Sequence, residues 1–374
     1  MTMPRLEIRL DLIAHNARVL VDRLAARGIV VCGVTKATGG SSEVAAAMLA
    51  AGVASIGESR LENVEALRRQ DVTAEVMLVR SPAPSQVARA VRQVDLSLNS
   101  EMAVIDALSL EAFRQGRRHG VVLMVELGDL REGLMPDDVA RAAERVLTLP
   151  GVKLRGLGTN LACQSGVVPD AANMQELTNL VITVEERLGV ALDIVSGGNS
   201  ANLGWALDER NDLGRINHLR LGEAILLGVD PLDRSPIHGL RTDAFALVGE
   251  VIESKRKPAV AWGTLGQTAF GPPSIGGTSG APAMMNRVII ALGRQDIEPA
   301  GLVPPVGVTV LGASSDHLVL DSGPELLPVG AEIGFGVHYA ALLRASTSPS
   351  VESTYRWSEG SDGARAGAVN GGTI

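Results

Sequence analysis

The 374-residue chain carries 34 Lys and Arg against 42 Asp and Glu, a formal charge of −8, with 46 % hydrophobic and 20 % charged residues, which excludes a disordered, collagenous or fibrous protein. An acidic chain with 4 Phe, 2 Tyr and 3 Trp has no basic face for phosphate backbones and few platforms for stacked bases, so no nucleic-acid partner is expected. No apolar run reaches the roughly 18–20 residues of a membrane span and the N-terminus has no apolar signal core, which predicts no membrane association and a cytoplasmic location.

From residue 5 to about 228, short β-branched apolar runs alternate with longer segments of helical period, a βαβ rhythm that predicts a first domain over 5–238. The spacing predicts a helix over 11–27, with Asp11 as N-cap, Gly28 as terminator and an apolar stripe interrupted by Asn16 and Arg23. Strands are predicted at 29–35, 54–57, 75–79, 95–98, 121–127, 154–158, 192–196 and 218–221, and Ser41, Ser100 and Pro136 mark helix starts between them. Repeated strand–helix units in about 200 residues fit an α/β fold built on a closed (β/α)8 barrel of TIM type better than an open doubly wound sheet.

Beyond residue 239 the texture changes to β-rich runs at 245–252, 287–292, 308–311 and 317–320, punctuated by Gly and Pro, which predicts a second, all-β domain over 239–358. The glycine-rich stretch 263–282 reads as a mobile loop, and 359–374 has too few apolar residues to offset its ordering entropy, so it reads as a disordered tail. Cys32 and Cys163 form no Cys-x-x-Cys spacing, which points to free thiols and no structural zinc.

In such a barrel, catalytic groups gather where strands end. The first strand ends in Lys36, later ones in Asn99, 126–131, Thr159, Asn160 and 196–200, and the eighth runs into Arg220, Leu221, Gly222 and Glu223. A lysine at an apolar rim loses proton affinity by desolvation and can serve as an imine-forming nucleophile and as a base at carbon acids, unless it snorkels to water. Gly197 and Gly198, followed by Asn199 and Ser200, offer bare N–H groups and a hydroxyl at a helix entrance, either a phosphate cradle or a simple turn. The amides of Gly222 and Glu223 would lie beside them, at the phosphate position common after strands 7 and 8.

These residues, with VCGVTKATGG, GESRLENV, LMVELGDLREGLMPDD, GLGTNLACQSGVVP, SGGNSANL, INHLRLGEAILLG and LGASSDHLVLD in that order, resemble the fold-type III pyridoxal-phosphate enzymes of the alanine racemase type, and most closely the ornithine racemase branch, over residues 4–355. The resemblance implies pyridoxal 5'-phosphate joined to Lys36, its phosphate held by Asn199, Ser200 and the amides of Gly222 and Glu223, and Arg220 facing the pyridine nitrogen. A guanidinium keeps its proton at neutral pH, so it donates to an unprotonated ring nitrogen and limits delocalisation into the ring, favouring reprotonation over transamination. Without the family pattern, Arg220 reads as an ion-pair partner of Glu223 or another rim carboxylate. The resemblance further implies Asn160 against the ring, Arg131 near its phenolic oxygen with Glu126 as that arginine's partner, and a homodimer whose active sites are shared between subunits.

The chain departs from the alanine racemase pattern where Gly40 replaces a phosphate-binding tyrosine, Met124 a carbamylated lysine and Phe270 the tyrosine base of the opposite face. That last role then falls to another residue, reaches the substrate through water or is absent; the candidates for another residue lie in 314–317, where His317 beside Asp316 forms either an acid/base pair or an interface hydrogen bond, or the two face alternate sides of a strand. Cys163 is a further candidate, or a small buried residue. Ser315, Phe270 and Asp129 are expected to line the substrate. A basic substrate such as ornithine or lysine needs an acceptor for its ammonium, for which Asp129, Glu223, Asp243 and Asp296 are candidates. Thr268 stands where an acidic residue is expected, which leaves a neutral or acidic amino acid open, with Arg131 or Arg294 meeting a carboxylate.

The activity expected is racemisation of a basic amino acid, with Lys36 moving the α-proton on one face and a group from the second subunit acting on the other. Two alternatives stand beside it. One is a D-amino-acid aldolase or dehydratase on the same fold, marked by metal dependence, although no metal site is expected. The other is a non-catalytic pyridoxal-phosphate carrier, against which the second domain argues.

Overall fold

The computed structural model describes residues 4–270 and 283–357. The chain divides into a barrel unit over 10–242 and a sheet unit that joins the first residues, up to Arg9, to 243–356.

All the strands expected of a barrel are present. After an N-terminal strand β1 (Arg5–Arg9) come β2 (Val30–Val34), β3 (Ser55–Glu58), β4 (Val76–Leu78), β5 (Leu96–Asn99), β6 (His119–Met124), β7 (Val152–Gly158), β8 (Ile194–Gly198) and β9 (His218–Leu221). Strands β2 to β9 close in sequence order, each parallel to the next, and β9 returns to β2 with His218 opposite Val30. Cys32, Met77, Leu96, Leu98, Val122, Met124 and Ile194 from these strands pack into one buried cluster, each fully buried aliphatic side chain contributing about 1.5–3 kcal/mol. The helices are α1 (Leu10–Ala25), α2 (Ser42–Ala50), α3 (Leu61–Arg69), α4 (Val87–Gln93), α5 (Met102–Arg114), α6 (Pro136–Leu147), α7 (Ala171–Leu188), α8 (Leu203–Leu207) and α9 (Glu223–Leu227).

Helix α1 starts at Leu10, so Asp11 sits in its first turn rather than at the N-cap, where it still favours the positive dipole end. Gly28 takes the left-handed conformation (φ 72°) expected of a terminator. Asn16, which breaks the apolar stripe, is fully buried and acts as a clamp. Its Nδ2 donates to the carbonyls of Ile225 (3.0 Å) and Arg241 (2.8 Å), and its Oδ1 accepts from Arg241 N–H (2.7 Å). Ser41 caps α2 as expected, whereas α5 is capped by the Glu101 carboxylate, one residue after the expected Ser100.

The sheet unit contains β10 (Phe245–Pro258), β11 (Met284–Ile290), β12 (Leu302–Val303), β13 (Thr309–Ala313), β14 (Leu318–Asp321), β15 (Glu332–Val337) and β16 (Glu352–Arg356), in the order β12-β15-β10-β11-β14-β13. A helix, α10 (Tyr339–Thr347), accompanies them and buries Ala341, Leu342 and Ala345. Strand β1 lies here, although the sequence reading began the barrel domain at residue 5. It runs antiparallel to β10, with Arg5 opposite Val248, and parallel to β16, with Arg5 opposite Glu352. The physical reason is that the barrel ladder is already closed and has no open edge for another strand. The expected tail over 359–374 and most of the expected loop over 263–282 lie outside the described residues.

Candidate active site

Lys36 lies one residue beyond β2, after Thr35, at the start of a 3-10 turn over Lys36–Thr38, and so stands at the C-terminal end of the first barrel strand. Desolvation pushes its ammonium pKa below the ordinary lysine range; the charges of Arg131 and Arg220 push the same way, against opposing pulls from Cys163 and Glu58. The neighbouring Thr35 anchors this turn by donating from Oγ1 to Glu58 Oε1 (2.7 Å). Glu58, fully buried at the end of β3, also accepts from Ser59 N–H (3.0 Å) and Asn63 Nδ2 (3.1 Å). Burial nevertheless raises its carboxyl pKa above the usual value. Glu58 was not among the expected site residues, although it lies in the GESRLENV segment that carries the resemblance.

Arg220 on β9 is buried without a carboxylate partner among the described residues. Its Nη1 donates to Ser196 Oγ, and its Nη2 to the Thr159 carbonyl (2.9 Å) and Asn160 Oδ1 (3.3 Å). Glu223, the alternative partner, pairs instead with Arg234 (2.6 Å). Burial lowers the Arg220 pKa to about 10, which leaves it protonated at neutral pH. Asn160 Oδ1 also accepts from Asn199 Nδ2 (3.2 Å), while Asn160 Nδ2 is a buried donor with no partner among the described residues. Since buried donors are rarely left unpaired, this corner is chemically set to receive an acceptor.

Beside it, β8 passes through Gly198 (φ 141°) into Asn199 and Ser200. Asn199 Oδ1 caps the following turn by accepting from Ala201 N–H (2.8 Å), and its Nδ2 also reaches the Leu161 carbonyl (2.8 Å). Ser200 Oγ accepts from Ala224 N–H (3.2 Å), tying the turn after β8 to the start of α9. A Cβ on Gly198 would overlap Asn202 Oδ1, and one on Gly222 would meet the Val34 carbonyl at 3.2 Å. Backbone N–H groups of Ser200, Gly222 and Glu223 have no acceptor among the described residues. The ends of β8 and β9 thus offer a hydroxyl and several amides to an anion.

The loops after β6 and β7 are organised differently from expectation. Arg131 is paired with Glu132 and donates from Nη1 to Cys163 Sγ (3.0 Å). Glu126, the expected partner, instead accepts from the N–H groups of Gly128 (2.6 Å) and Leu130 (3.1 Å). Cys163 is exposed rather than a buried space-filler. Asp129 is buried, and its carboxylate accepts from the N–H groups of Cys163 (3.2 Å), Gln164 (2.8 Å) and Ser165 (3.1 Å). Desolvation opposes its charge, but these amides outweigh it and hold the pKa below the usual carboxylate range. Its lone pairs are taken by the chain, so Asp129 fastens the loop after β7 in place of the free substrate acceptor expected.

The remaining candidates belong to the sheet unit. His317 Nδ1 lies 3.0 Å from Asp316 Oδ1, both side chains exposed, and the hydrogen bond from His317 lowers the Asp316 pKa. Ser315, next to Asp316, accepts from Gln295 N–H through its carbonyl (3.0 Å). Phe270 is half exposed with the Arg294 guanidinium 4.9 Å from its ring centroid. Asp296 accepts from Ser348 Oγ (2.8 Å) and Gly293 N–H (3.3 Å).

A family model described as the alanine racemase N-terminal domain matches residues 8–231. The chain belongs to the alanine racemase family. It is 38 % identical to lysine racemase from Thermotoga maritima, over 95 % of this chain and 99 % of that one, and 31 % identical to ornithine racemase from Acetoanaerobium sticklandii, over 93 % and 98 %. Among solved structures it is similar in fold to an alanine racemase from Streptomyces lavendulae (TM-score 0.72, 20 % identity, 98 % and 100 % covered) and a D-threonine aldolase from Filomicrobium marinum (TM-score 0.71, 14 % identity, 92 % and 88 % covered).

Two departures from the alanine racemase pattern now have a physical account. Gly40 has φ 72°, and a Cβ there would lie 2.5 Å from that of Asn63, so no tyrosine fits where Asn63 reaches back to Glu58. Met124 is fully buried in the barrel cluster, where a carbamylated lysine would carry charge into an apolar core. Among the described residues no helix is long and apolar enough to cross a membrane, and no group of three or more His, Cys, Asp or Glu is placed to hold a metal ion.

Proposed function

We propose that this alanine racemase family member is a pyridoxal-phosphate-dependent racemase of basic amino acids, lysine or ornithine, acting as a homodimer. The observation that carries the reading is the pairing, within one barrel, of a desolvated lysine with a buried guanidinium that has no carboxylate partner. Similarity over nearly the full length to a lysine racemase and an ornithine racemase supports the substrate class.

The residues fit the cofactor. Lys36 Nζ would carry it; Ser200, Asn199 and the amides of Gly222 and Glu223 would hold its phosphate; Arg220 and the unpartnered Asn160 Nδ2 would donate to its ring, with Arg131 nearby. When bound, pyridoxal phosphate supplies the electron sink that acidifies the substrate Cα–H. Desolvation favours the neutral amine of Lys36, so its Nζ can take the α-proton on one face and return it. Arg220 keeps its own proton at working pH and so does not protonate the ring, which disfavours transamination. For the opposite face we assign His317, held by Asp316, from the second subunit, with Ser315 and Phe270 lining the substrate; Phe270 has no ionisable group to offer.

The test is the visible spectrum of the purified protein with and without borohydride, beside Lys36→Ala. A borohydride-sensitive band that the variant lacks is the expected result. No band after addition of pyridoxal phosphate would overturn the reading.

A further inference from the structure

Arg220 rests on a hydrogen-bonded chain that reaches deeper into the barrel. Its Nη1 donates to Ser196 Oγ, which lies 3.0 Å from His218 Nδ1. Ser196 on β8 sits opposite His218 on β9 in the ladder, and Arg220 follows two residues along on the same side of β9. All three are buried, at 0 %, 4 % and 4 % exposure for Ser196, His218 and Arg220.

The direction of the chain follows from counting protons. A guanidinium only donates, so it occupies a lone pair of Ser196 Oγ. The hydroxyl proton then has one acceptor in reach among the described residues, His218 Nδ1. Donation of that proton assigns His218 as the neutral tautomer with its proton on Nε2. Burial drives its pKa down to about 3, and the charges acting on it, Arg220 from its own strand and Arg155 from β7, are both cations that push the same way.

A buried cation is ordinarily paired with a carboxylate. Here the support is neutral. We infer that Ser196 and His218 are positioning residues: a neutral relay that fixes Nη1 of Arg220 without an ion-pair partner among the described residues, so that its remaining N–H donors serve the cofactor ring. The target of those donors rests on the cofactor reading above; the relay itself does not.

The test therefore has two arms, both on the full-length protein. In the first, 15N-labelled histidine is observed by NMR before the cofactor is added. His218 is expected as the Nε2–H tautomer, without titration between about pH 5 and 9, and Ser196→Ala should remove the hydrogen-bond signature at Nδ1. In the second, pyridoxal phosphate affinity and absorbance are compared in three variants. His218→Asn retains an acceptor for Ser196 and should stay within about threefold of wild type, whereas His218→Leu should lose about tenfold, the worth of one buried hydrogen bond. His218→Asp adds a carboxylate beside Arg220 and should shift the absorbance maximum and its pH dependence. A histidine that only fills space would be replaced better by Leu than by Asn, which would overturn the inference, as would protonation at Nδ1 or titration within that window. If the bulky changes prevent folding, the NMR arm with Ser196→Ala decides. Failure of the wild type to take up pyridoxal phosphate would remove the proposed function while leaving the NMR arm to judge the relay.

Discussion

Replacing Asp129 with Asn tests whether this buried carboxylate is the fastener of the loop after β7. Oδ1 accepts from Cys163 N–H (3.3 Å) and Ser165 N–H (3.1 Å), and Oδ2 from Cys163 N–H (3.2 Å) and Gln164 N–H (2.8 Å). Asparagine keeps one oxygen and turns the other into an NH2 group facing an N–H. At least one hydrogen bond to a charged acceptor, about 1.5–3 kcal/mol, is lost, and a buried donor is left facing a donor at about 1–3 kcal/mol more. Taking about 3 kcal/mol for the sum, local opening becomes roughly a hundredfold more frequent. Amide hydrogen exchange at Gln164 and Ser165 reads this directly, and slow cores such as Val122 serve as an internal control. The sign with pH is fixed as well. The folded pKa of Asp129 lies below 3.8, so its contribution is complete above that value and fades only as the pH falls through the lower, folded one; Asp129→Asn should abolish this acid sensitivity. Unchanged exchange at both amides in the variant would refute the assignment.

Lys36→Met in the cofactor-free protein should raise stability near neutral pH. A base whose folded pKa is depressed binds fewer protons folded than unfolded, so wild-type stability climbs with pH up to about the ordinary lysine value of 10.5. The difference in Tm between variant and wild type should therefore shrink as pH rises, and a constant difference would count against a desolvated lysine. Gly198→Ala forces a Cβ onto Asn202 at φ 141°; thermal unfolding should show a loss of about 1–3 kcal/mol with weakened pyridoxal phosphate binding, and a neutral result would remove the cradle.

The barrel was legible because its strands are short, buried, β-branched runs bounded by glycines and helical segments, a local pattern. The bound of the barrel at residue 5 was misplaced because nothing local in RLEIR says which sheet takes it, and its partners Val248 and Glu352 lie hundreds of residues away. That Lys36, Arg220 and Ser200 stand at strand ends could be read from the strand pattern. The fate of carboxylates could not. Whether Asp129 is free or consumed by amides depends on the loop path, which bends through Leu130 (φ 55°) and Ala162 (φ 52°), two non-glycine residues in the left-handed region. The same holds for Arg131, whose partner is its neighbour Glu132 rather than Glu126. The link from Arg220 to His218 depends on the register between β8 and β9, which no single strand encodes.

The most direct test of the central claim is incubation of the pyridoxal-phosphate-loaded protein with L-lysine or L-ornithine in D2O, following chirality and α-deuterium together. Conversion to both enantiomers with deuterium at Cα, absent in Lys36→Ala, is the outcome predicted. Substrates that keep both their chirality and their α-hydrogen would contradict it.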